Sequence, residues 1–121
     1  MENTKYSYDK EVDVLYISFS TEKATTAVEL NDNILLRFNR TQKKAIGITL
    51  MDFSVLAQLT NLGPRTFPLT GLDRLEPDWR NTVIEIITSP PANDVLKVFA
   101  YSSNNLELLP IAYVEAMRLA A

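Results

Sequence analysis

Three carboxylates near the N-terminus have the residue types and the spacing of a cation site. Asp9, Glu11 and Asp13 occupy alternate positions, as do the first ligands of a calcium-binding loop. Counted from Asp9, that loop needs glycine at its sixth position and glutamate at its twelfth, where this chain has Val14 and Ser20. We therefore predict no metal site and interpret the three carboxylates as a solvated acidic patch along a strand.

Two absences narrow the available chemistry further. The chain has no cysteine and no histidine, so it can form neither a disulfide nor a thiolate nor an imidazole base, and it lacks the usual ligands of zinc. Carboxylate, lysine, arginine, tyrosine and hydroxyl groups remain. We predict no catalytic residue and no cofactor.

The overall composition is that of one globular domain. The chain has 121 residues, of which 46% are hydrophobic and 22% are charged, and this length is enough to bury a single core. No apolar run approaches the roughly 20 residues that span a bilayer, and no signal-peptide pattern follows Met1. We expect a cytoplasmic protein that does not contact a membrane.

Charge argues against nucleic acid as a partner. The net charge is −3, whereas proteins that bind nucleic acid normally present a basic face. Basic residues do cluster around one predicted hairpin, but a solvated tip that discourages strand pairing is the favoured interpretation over contact with phosphate. These residues are Arg37, Arg40, Lys43 and Lys44.

Alternating apolar and polar side chains predict an antiparallel β-meander in the first half of the chain. The four predicted strands are Val12–Phe19, Thr25–Leu30, Ile34–Asn39 and Ala45–Met51. Gly47 lies inside the last of these strands, which indicates a bulge or the close approach of another group.

An amphipathic helix is predicted directly after the fourth strand. Apolar residues recur at helical spacing from Phe53 to Leu62, Asp52 is a suitable N-cap, and Gly63-Pro64 ends the helix. The fold class is therefore α+β: mainly an antiparallel β-meander sheet, with one short amphipathic helix after the fourth strand and further C-terminal strands.

The second half is predicted to hold a connector and more strands. We expect one helical turn around Leu72 and Leu75, and then the strands Thr82–Thr88, Val95–Tyr101 and Leu106–Val114. Pro110 lacks an amide donor, which places the last strand at an edge or at a bulge.

These elements predict a single domain over residues 1–121. The meander and its helix occupy residues 5–63, the connector occupies 64–81, and the C-terminal strands lie within 82–114.

The residues from Tyr8 to Ser54 resemble a small prokaryotic family known as domain of unknown function 2283. The family pattern has a Tyr-Asp opening, an aspartate before a Leu-Tyr-Ile strand, an acidic strand, and a strand that closes on Gly-Ile and is followed by serine. The matching residues here are Tyr8-Asp9, Asp13, Leu15-Tyr16-Ile17, Val28-Glu29-Leu30 and the run from Gly47 to Ser54. The resemblance implies a compact β-meander with a helix, and it brings no catalytic residue or cofactor. Some members look like partners in two-gene toxin–antitoxin modules, which implies protein binding.

A second apolar face on the sheet predicts self-association. Val12, Val14 and Tyr16 form this face together with Leu35 on a neighbouring strand, and the predicted helix can cover only one side of the sheet. For Trp79, a partly buried ring that pins the connector is favoured over a ligand platform, and an interface anchor is the alternative, because tryptophan is common in binding hot spots. The sequence leaves open whether the C-terminal strands cover the second face or extend the sheet.

We therefore predict a non-enzymatic protein-interaction module that forms a homodimer. One alternative is an antitoxin-like subunit whose acidic surface neutralises a basic toxin partner. The least favoured alternative is a carboxylate-dependent enzyme, which would require Asp9, Glu11 or Asp13 to converge in a cleft with a raised pKa.

Overall fold

The structure, a computed structural model, describes most of the chain. It covers residues 4–60, 63–102 and 108–114. Side chains are described for residues 4–58, 65–98 and 110–114. None of the helices in these residues is long and apolar enough to cross a membrane.

The first half folds into a five-stranded antiparallel sheet. Its strands are β1 (Lys5–Asp9), β2 (Val14–Ser18), β3 (Thr26–Asn31), β4 (Ile34–Asn39) and β5 (Lys44–Met51). Neighbouring strands lie in the order β1-β2-β5-β4-β3, so β5 is central and β1 and β3 are the two edges. With a main helix after the fifth strand and further C-terminal strands, this sheet confirms the predicted α+β fold class.

One face of the sheet, the inner face, carries the apolar side chains that the alternation predicted. In β4, which coincides with the predicted strand, Ile34, Leu36 and Phe38 are buried. The intervening Leu35 and Arg37 are half-buried on the opposite side, the outer face. The inner-face core residues are Leu15, Ile17, Val28, Leu30, Ile34, Leu36, Phe38, Ile48 and Leu50.

The structure adds a strand that the sequence pattern does not predict. All five side chains of β1 are exposed, so no buried alternation marks this strand. β2 begins at Val14, and Val12 belongs to the turn that joins β1 to β2. The predicted strand Val12–Phe19 is therefore too long at its start.

Gly47 meets both expectations for a glycine within a strand. The pairing of β4 with β5 shifts register between Arg37 and Phe38, which is a bulge. A Cβ on Gly47 would overlap with the guanidinium of Arg37 and would lie 2.8 Å from the backbone oxygen of Ile17. The missing side chain therefore makes room for Arg37 on the outer face.

The helix predicted from Phe53 to Leu62 is wrong in its length. α1 comprises only the four residues Phe53–Leu56, and a short strand, β6 (Leu59–Thr60), follows it. Leu56 is buried, as the predicted apolar stripe requires, whereas the side chains of Leu59 and Leu62 lie outside the described residues. A single helical turn is too short to cover a sheet face, so the cover must come from elsewhere in the chain.

The main helix lies where the sequence predicted a connector and a strand. α2 spans Pro77–Ile87, so the predicted connector 64–81 ends too late and the predicted strand Thr82–Thr88 is wrong. Pro77 stands in the first turn of α2, where its missing amide donor costs no hydrogen bond. Several β-branched residues occupy this segment, and their strand propensity conceals the helical period. The buried residues of α2, at helical spacing, are Val83, Ile86 and Ile87.

Short elements complete the second half. A 3₁₀ helix, Thr70–Arg74, confirms the helical turn expected around Leu72. The other elements are β7 (Gly63–Pro64), β8 (Phe67–Pro68), a second 3₁₀ helix (Ala92–Asp94), β9 (Leu96–Ser102) and β10 (Leu108–Val114). β8, β9 and β10 form a three-stranded sheet in the order β8-β10-β9, which confirms the two last predicted strands.

Pro110 lies in a central strand rather than at an edge. β10 stands between β8 and β9, so the predicted edge position is wrong, and Pro110 pairs with Ala100 in regular register. The backbone oxygen of Pro110 accepts a hydrogen bond from the amide of Leu69, 2.9 Å away. The proline is tolerated because this link uses its carbonyl and needs no amide donor.

The second half covers the inner face of the five-stranded sheet. Its buried residues join the inner-face residues in one hydrophobic core. Within the described residues, the C-terminal strands therefore neither extend this sheet nor cover its outer face. The core residues contributed by the second half are Leu69, Leu72, Val83, Ile86, Ile87, Ala92, Val95, Leu96, Ala112 and Val114.

The first 3₁₀ helix also covers one edge of the five-stranded sheet. It packs against β3 so closely that a Cβ on Gly71 would overlap with the backbone oxygen of Glu29 and would lie 3.0 Å from the carbonyl carbon of Leu30. Gly71 is buried. Only a residue without a side chain fits here, so Gly71 sets the distance between the second half and the β3 backbone.

Replacing Gly71 tests this contact. Gly71→Ala is expected to destabilise the protein by about 1–3 kcal/mol, because its methyl group must displace the β3 backbone. The free energy of unfolding is measured by denaturant titration, with the exposed neighbour Thr70 replaced by alanine as the matched control. Thr70→Ala should change this free energy by less than about 0.5 kcal/mol. Equal stability of Gly71→Ala and the wild type would contradict the close contact.

Candidate functional site

Polar side chains surround the point at which the chain leaves the five-stranded sheet. β5 ends at Met51, and the backbone turns toward α1 at Asp52, whose φ of 54° is left-handed. The β1–β2 turn and the β3–β4 turn both contact this point. We call the cluster the exit junction; its members are Tyr8, Asp13, Asn33, Asp52 and Ser54.

Asp13 is the central acceptor of the exit junction. It ends the β1–β2 turn with a left-handed φ of 55°, and its side chain reaches the first turn of α1. The Ser54 hydroxyl donates to Asp13 Oδ2 at 2.6 Å, and the Ser54 amide lies 3.1 Å from Oδ1. The Tyr8 hydroxyl donates to Oδ1 at 2.7 Å. One carboxylate therefore joins β1, the β1–β2 turn and the start of α1.

Asn33 binds the same point from the β3–β4 turn. Its side-chain amide donates to the backbone oxygen of Met51 at 3.2 Å and to Asp52 Oδ2 at 2.9 Å. The predicted N-cap role of the Asp52 side chain is wrong, because this carboxylate makes no cap hydrogen bond and contacts Asn33 instead. Asp13 satisfies the helix amide that a local N-cap residue would have bound.

The exit junction changes the acidity of two of its groups. Hydrogen bonds from Ser54, and then from Tyr8, favour the carboxylate and hold the pKa of Asp13 below its usual range. The hydrogen bond to Asp13 raises the pKa of the Tyr8 phenol. A carboxylate with a lowered pKa is a weak proton acceptor and is not protonated near neutral pH, so it suits neither a general base nor a general acid. The arrangement joins segments of the fold.

The structure brings four of the five predicted interface residues to one side of the molecule. Strand register places Tyr16, Thr49 and Leu35 next to one another across β2, β5 and β4 on the outer face. Val14 lies on the same face of β2, two residues from Tyr16, and Val12 is exposed in the adjacent turn. Among these residues, Tyr16 and Val12 are the most open to solvent.

The fifth predicted interface residue, Trp79, lies apart from this group on α2. Its ring meets that of Phe38 edge-on, with centroids 6.4 Å apart, and the guanidinium carbon of Arg40 lies 3.7 Å from the Trp79 centroid. Lys43 pairs with Glu85 of α2 at 3.1 Å. Part of the basic hairpin tip therefore docks against α2, and Trp79 is partly buried beneath it.

The N-terminal sheet is similar in sequence to a known family. The model of the family described as "Protein of unknown function (DUF2283)" matches residues 5–54, which confirms the predicted resemblance. We call the matched residues 5–54 the DUF2283 domain. The match covers fewer than half of the 121 residues and ends at Ser54. Comparisons with the curated proteins and with the solved structures gave no match.

The exit junction gives a structural role to residues that carried the resemblance to the DUF2283 family. Tyr8, Asp13 and Ser54 are the opening tyrosine, the aspartate before the Leu-Tyr-Ile strand and the closing serine of that pattern. Sequence reasoning placed Asp13 in a solvated patch and missed its bond to Ser54, which is 41 residues away. Membership of one family pattern was the signal that linked the two residues.

The other two acidic residues at the start of the DUF2283 domain do not join Asp13. Asp9 Oδ1 accepts the backbone amide of Glu11 at 3.1 Å, as aspartate does in a turn. Within the described residues, no group of three or more potential ligands is arranged to hold a metal ion. Asp9, Glu11 and Asp13, which all lie in this part of the chain, therefore do not form such a group.

Two shallow depressions lie beside β3, along the covered edge of the DUF2283 domain. Their volumes are about 410 and 390 Å³, and both are lined by Ala27, Val28 and Arg74. One adds Glu29 to its wall and the other adds Glu76. Each depression is therefore lined by one arginine and one glutamate, and neither has the several convergent polar groups that orient a ligand.

The lowered pKa of Asp13 predicts how stability depends on pH. Its folded-state pKa is below the unfolded value of 3.8, so its contribution to stability is present above that value and is lost as pH falls through the folded pKa. Asp13→Asn should therefore lower the melting temperature at neutral pH. The difference from the wild type should be constant above about pH 6 and should narrow in acid.

Thermal unfolding between about pH 7 and about pH 2 measures this difference. Glu11→Gln is the matched control, because it removes a carboxylate from the same turn without removing a side-chain hydrogen bond described in the structure. Its melting temperature should follow that of the wild type. A gap between wild type and Asp13→Asn that stays constant into acid would show that the hydrogen bonds do not depend on the charge of Asp13.

Proposed function

We propose that this protein is a non-enzymatic cytoplasmic interaction module that self-associates as a homodimer through its β1–β2 hairpin. The observation that carries the proposal is the position of the exposed large apolar side chains. Four of the five in the described residues, Tyr6, Tyr8, Val12 and Tyr16, belong to this hairpin and are 46%, 48%, 58% and 45% exposed. Tyr6 and Tyr8 lie on the inner side of the hairpin and Tyr16 lies on its outer side, so the hairpin exposes apolar surface on both sides. Exposed apolar surface of this kind commonly marks an interface.

The neighbouring outer face supports the same proposal. On this face Tyr16 lies opposite Thr49, and Thr49 lies opposite Leu35 on the next strand. Val14 lies opposite Met51. The described residues of the second half pack on the inner face, so they do not bury this row. A partner that contacts Tyr16 can therefore extend its contact over several half-buried side chains.

The chemistry of the acidic residues supports a role without catalysis. Asp13 has a lowered pKa and is fully engaged in the exit junction, whereas a catalytic carboxyl group needs a pKa near the working pH. The Asp9 carboxylate accepts a hydrogen bond from the backbone amide of Glu11 within the β1–β2 turn. A second copy is the simplest partner for the hairpin, because two-fold symmetry lets one surface satisfy itself.

A charge at Tyr16 tests this proposal. Light scattering should give the wild type a mass of twice the 13.7 kDa of one chain at high protein concentration. Tyr16→Glu should shift the equilibrium to the monomer, because a desolvated carboxylate opposes burial of this face. Thr70→Glu, on the exposed side of the first 3₁₀ helix, is the control and should remain dimeric.

A wild type that stays monomeric at every concentration would overturn the proposed self-association. If that monomer instead co-purified with a basic protein encoded beside it, the antitoxin-like alternative would replace the homodimer. Circular dichroism of Tyr16→Glu separates loss of the dimer from loss of the fold.

A further inference from the structure

We infer that two copies of this chain join by antiparallel pairing of their β1 strands, centred on Ser7, which continues one five-stranded sheet into the other. The inference rests on the self-association proposed above and specifies its geometry. It follows from three features of β1: a free edge, a self-complementary charge pattern, and a pair of exposed tyrosines.

The first feature is the open edge. Among the described strands β1 pairs only with β2, over the register from Lys5 opposite Ser18 to Asp9 opposite Val14. All five of its side chains are exposed. An edge strand of this kind presents backbone donors and acceptors that another strand can bind. At the opposite edge, by contrast, the first 3₁₀ helix lies against β3.

The second feature is the charge pattern of Lys-Tyr-Ser-Tyr-Asp. When two such strands run antiparallel with Ser7 opposite Ser7, Lys5 of each copy faces Asp9 of the other. Opposite charges in directly paired positions stabilise an antiparallel pair, and like charges destabilise it. The two-fold axis produces this attraction twice, once at each end of the paired strands.

The third feature is the alternation of the tyrosines with the charged residues. Tyr6 and Tyr8 pair in register with Ile17 and Leu15, so both rings are on the inner side of the sheet. In the Ser7-centred arrangement Tyr6 of one copy lies opposite Tyr8 of the other. Aromatic cross-strand pairs are favourable, and both rings are about half exposed in the single chain, at 46% and 48%.

The charges of β1 have a second interpretation, which the pattern disfavours. Charged residues on an edge strand often prevent pairing. Charges of the same sign at positions 5 and 9 would repel in the antiparallel arrangement. The Lys5 cation and the Asp9 anion, which are symmetric about Ser7, instead attract. The Ser7-centred register is also the one that aligns all five residues of both strands.

The size of the contact sets its expected strength. Five residues span about 17 Å of strand, so the edge alone makes a small interface. Such interfaces are typical of weak and transient association, and we expect a dissociation constant in the micromolar range. Its charged pairs are exposed, so the dimer should weaken as salt concentration rises.

Charge exchange within β1 tests the inference. Lys5→Glu places Glu opposite Asp9, and Asp9→Lys places Lys opposite Lys5; each variant should dimerise about tenfold more weakly than the wild type. The double variant Lys5→Glu/Asp9→Lys restores opposite charges and should recover the wild-type dissociation constant. A mixture of the two single variants should form a heterodimer in preference to either homodimer. Sedimentation equilibrium at low salt measures all four cases.

The outcomes distinguish this inference from the function on which it rests. A monomeric wild type overturns the self-association itself. A dimeric wild type in which Lys5→Glu has no effect, while Tyr16→Glu dissociates the chains, overturns β1 pairing and leaves association through the outer face.

If Asp9→Lys does not fold, because it loses the bond to Glu11, Asp9→Asn replaces it. When Asp9→Asn is present, adding Lys5→Glu should no longer weaken the dimer. If Lys5→Glu still weakens the dimer there, the Lys5–Asp9 pairing is contradicted.

Discussion

The hydrogen bonds between Asp13 and Ser54 join the first turn of the sheet to the point at which the chain leaves its central strand. At that point the chain must stop pairing within the sheet and cross to the inner face, where the second half packs. The Asp13 side chain accepts a hydrogen bond from the helix amide of Ser54, and the Asp13 backbone oxygen accepts one from the amide of Phe53 at 3.0 Å. Asn33 holds the same turn from the other side. The direction of the chain after the DUF2283 domain therefore depends on a contact between residues far apart in sequence.

The strands of the first half were predictable because one sheet face is buried and the other is not. β4 shows this most clearly, since every second residue from Ile34 is buried. In the second half, by contrast, the local sequence pattern does not match the structure. Leu56 and Leu59 continue a helical spacing although the chain has already turned into β6, and the β-branched residues of α2 favour a strand where tertiary packing makes a helix. Local propensity is a weak guide where the core decides the conformation.

The candidate site was predictable only where alternation assigns its members to one face of the sheet. Tyr16 and Leu35 were assigned correctly to the outer face, but the prediction that their strands are neighbours was wrong, because β5 lies between β2 and β4. The contact of Trp79 with Phe38 was not predictable, because it arises from the packing of α2, which local periodicity does not encode. The role of Asp13 was hidden for a related reason. Its exposed position resembles that of any solvated carboxylate, and only the fold shows that Ser54 and Tyr8 are its donors.

The close approach of Gly71 to the β3 backbone limits how many chains one sheet can contain. A sheet with two open edges can recruit a neighbour on each side, and nothing in its geometry ends that growth short of a filament. In this five-stranded sheet the first 3₁₀ helix takes up the space beside β3, at a distance that the absence of a single Cβ permits. In the dimer that we propose, recruitment through β1 stops at two chains, because the second copy contributes its own covered edge as the new outer boundary of the sheet.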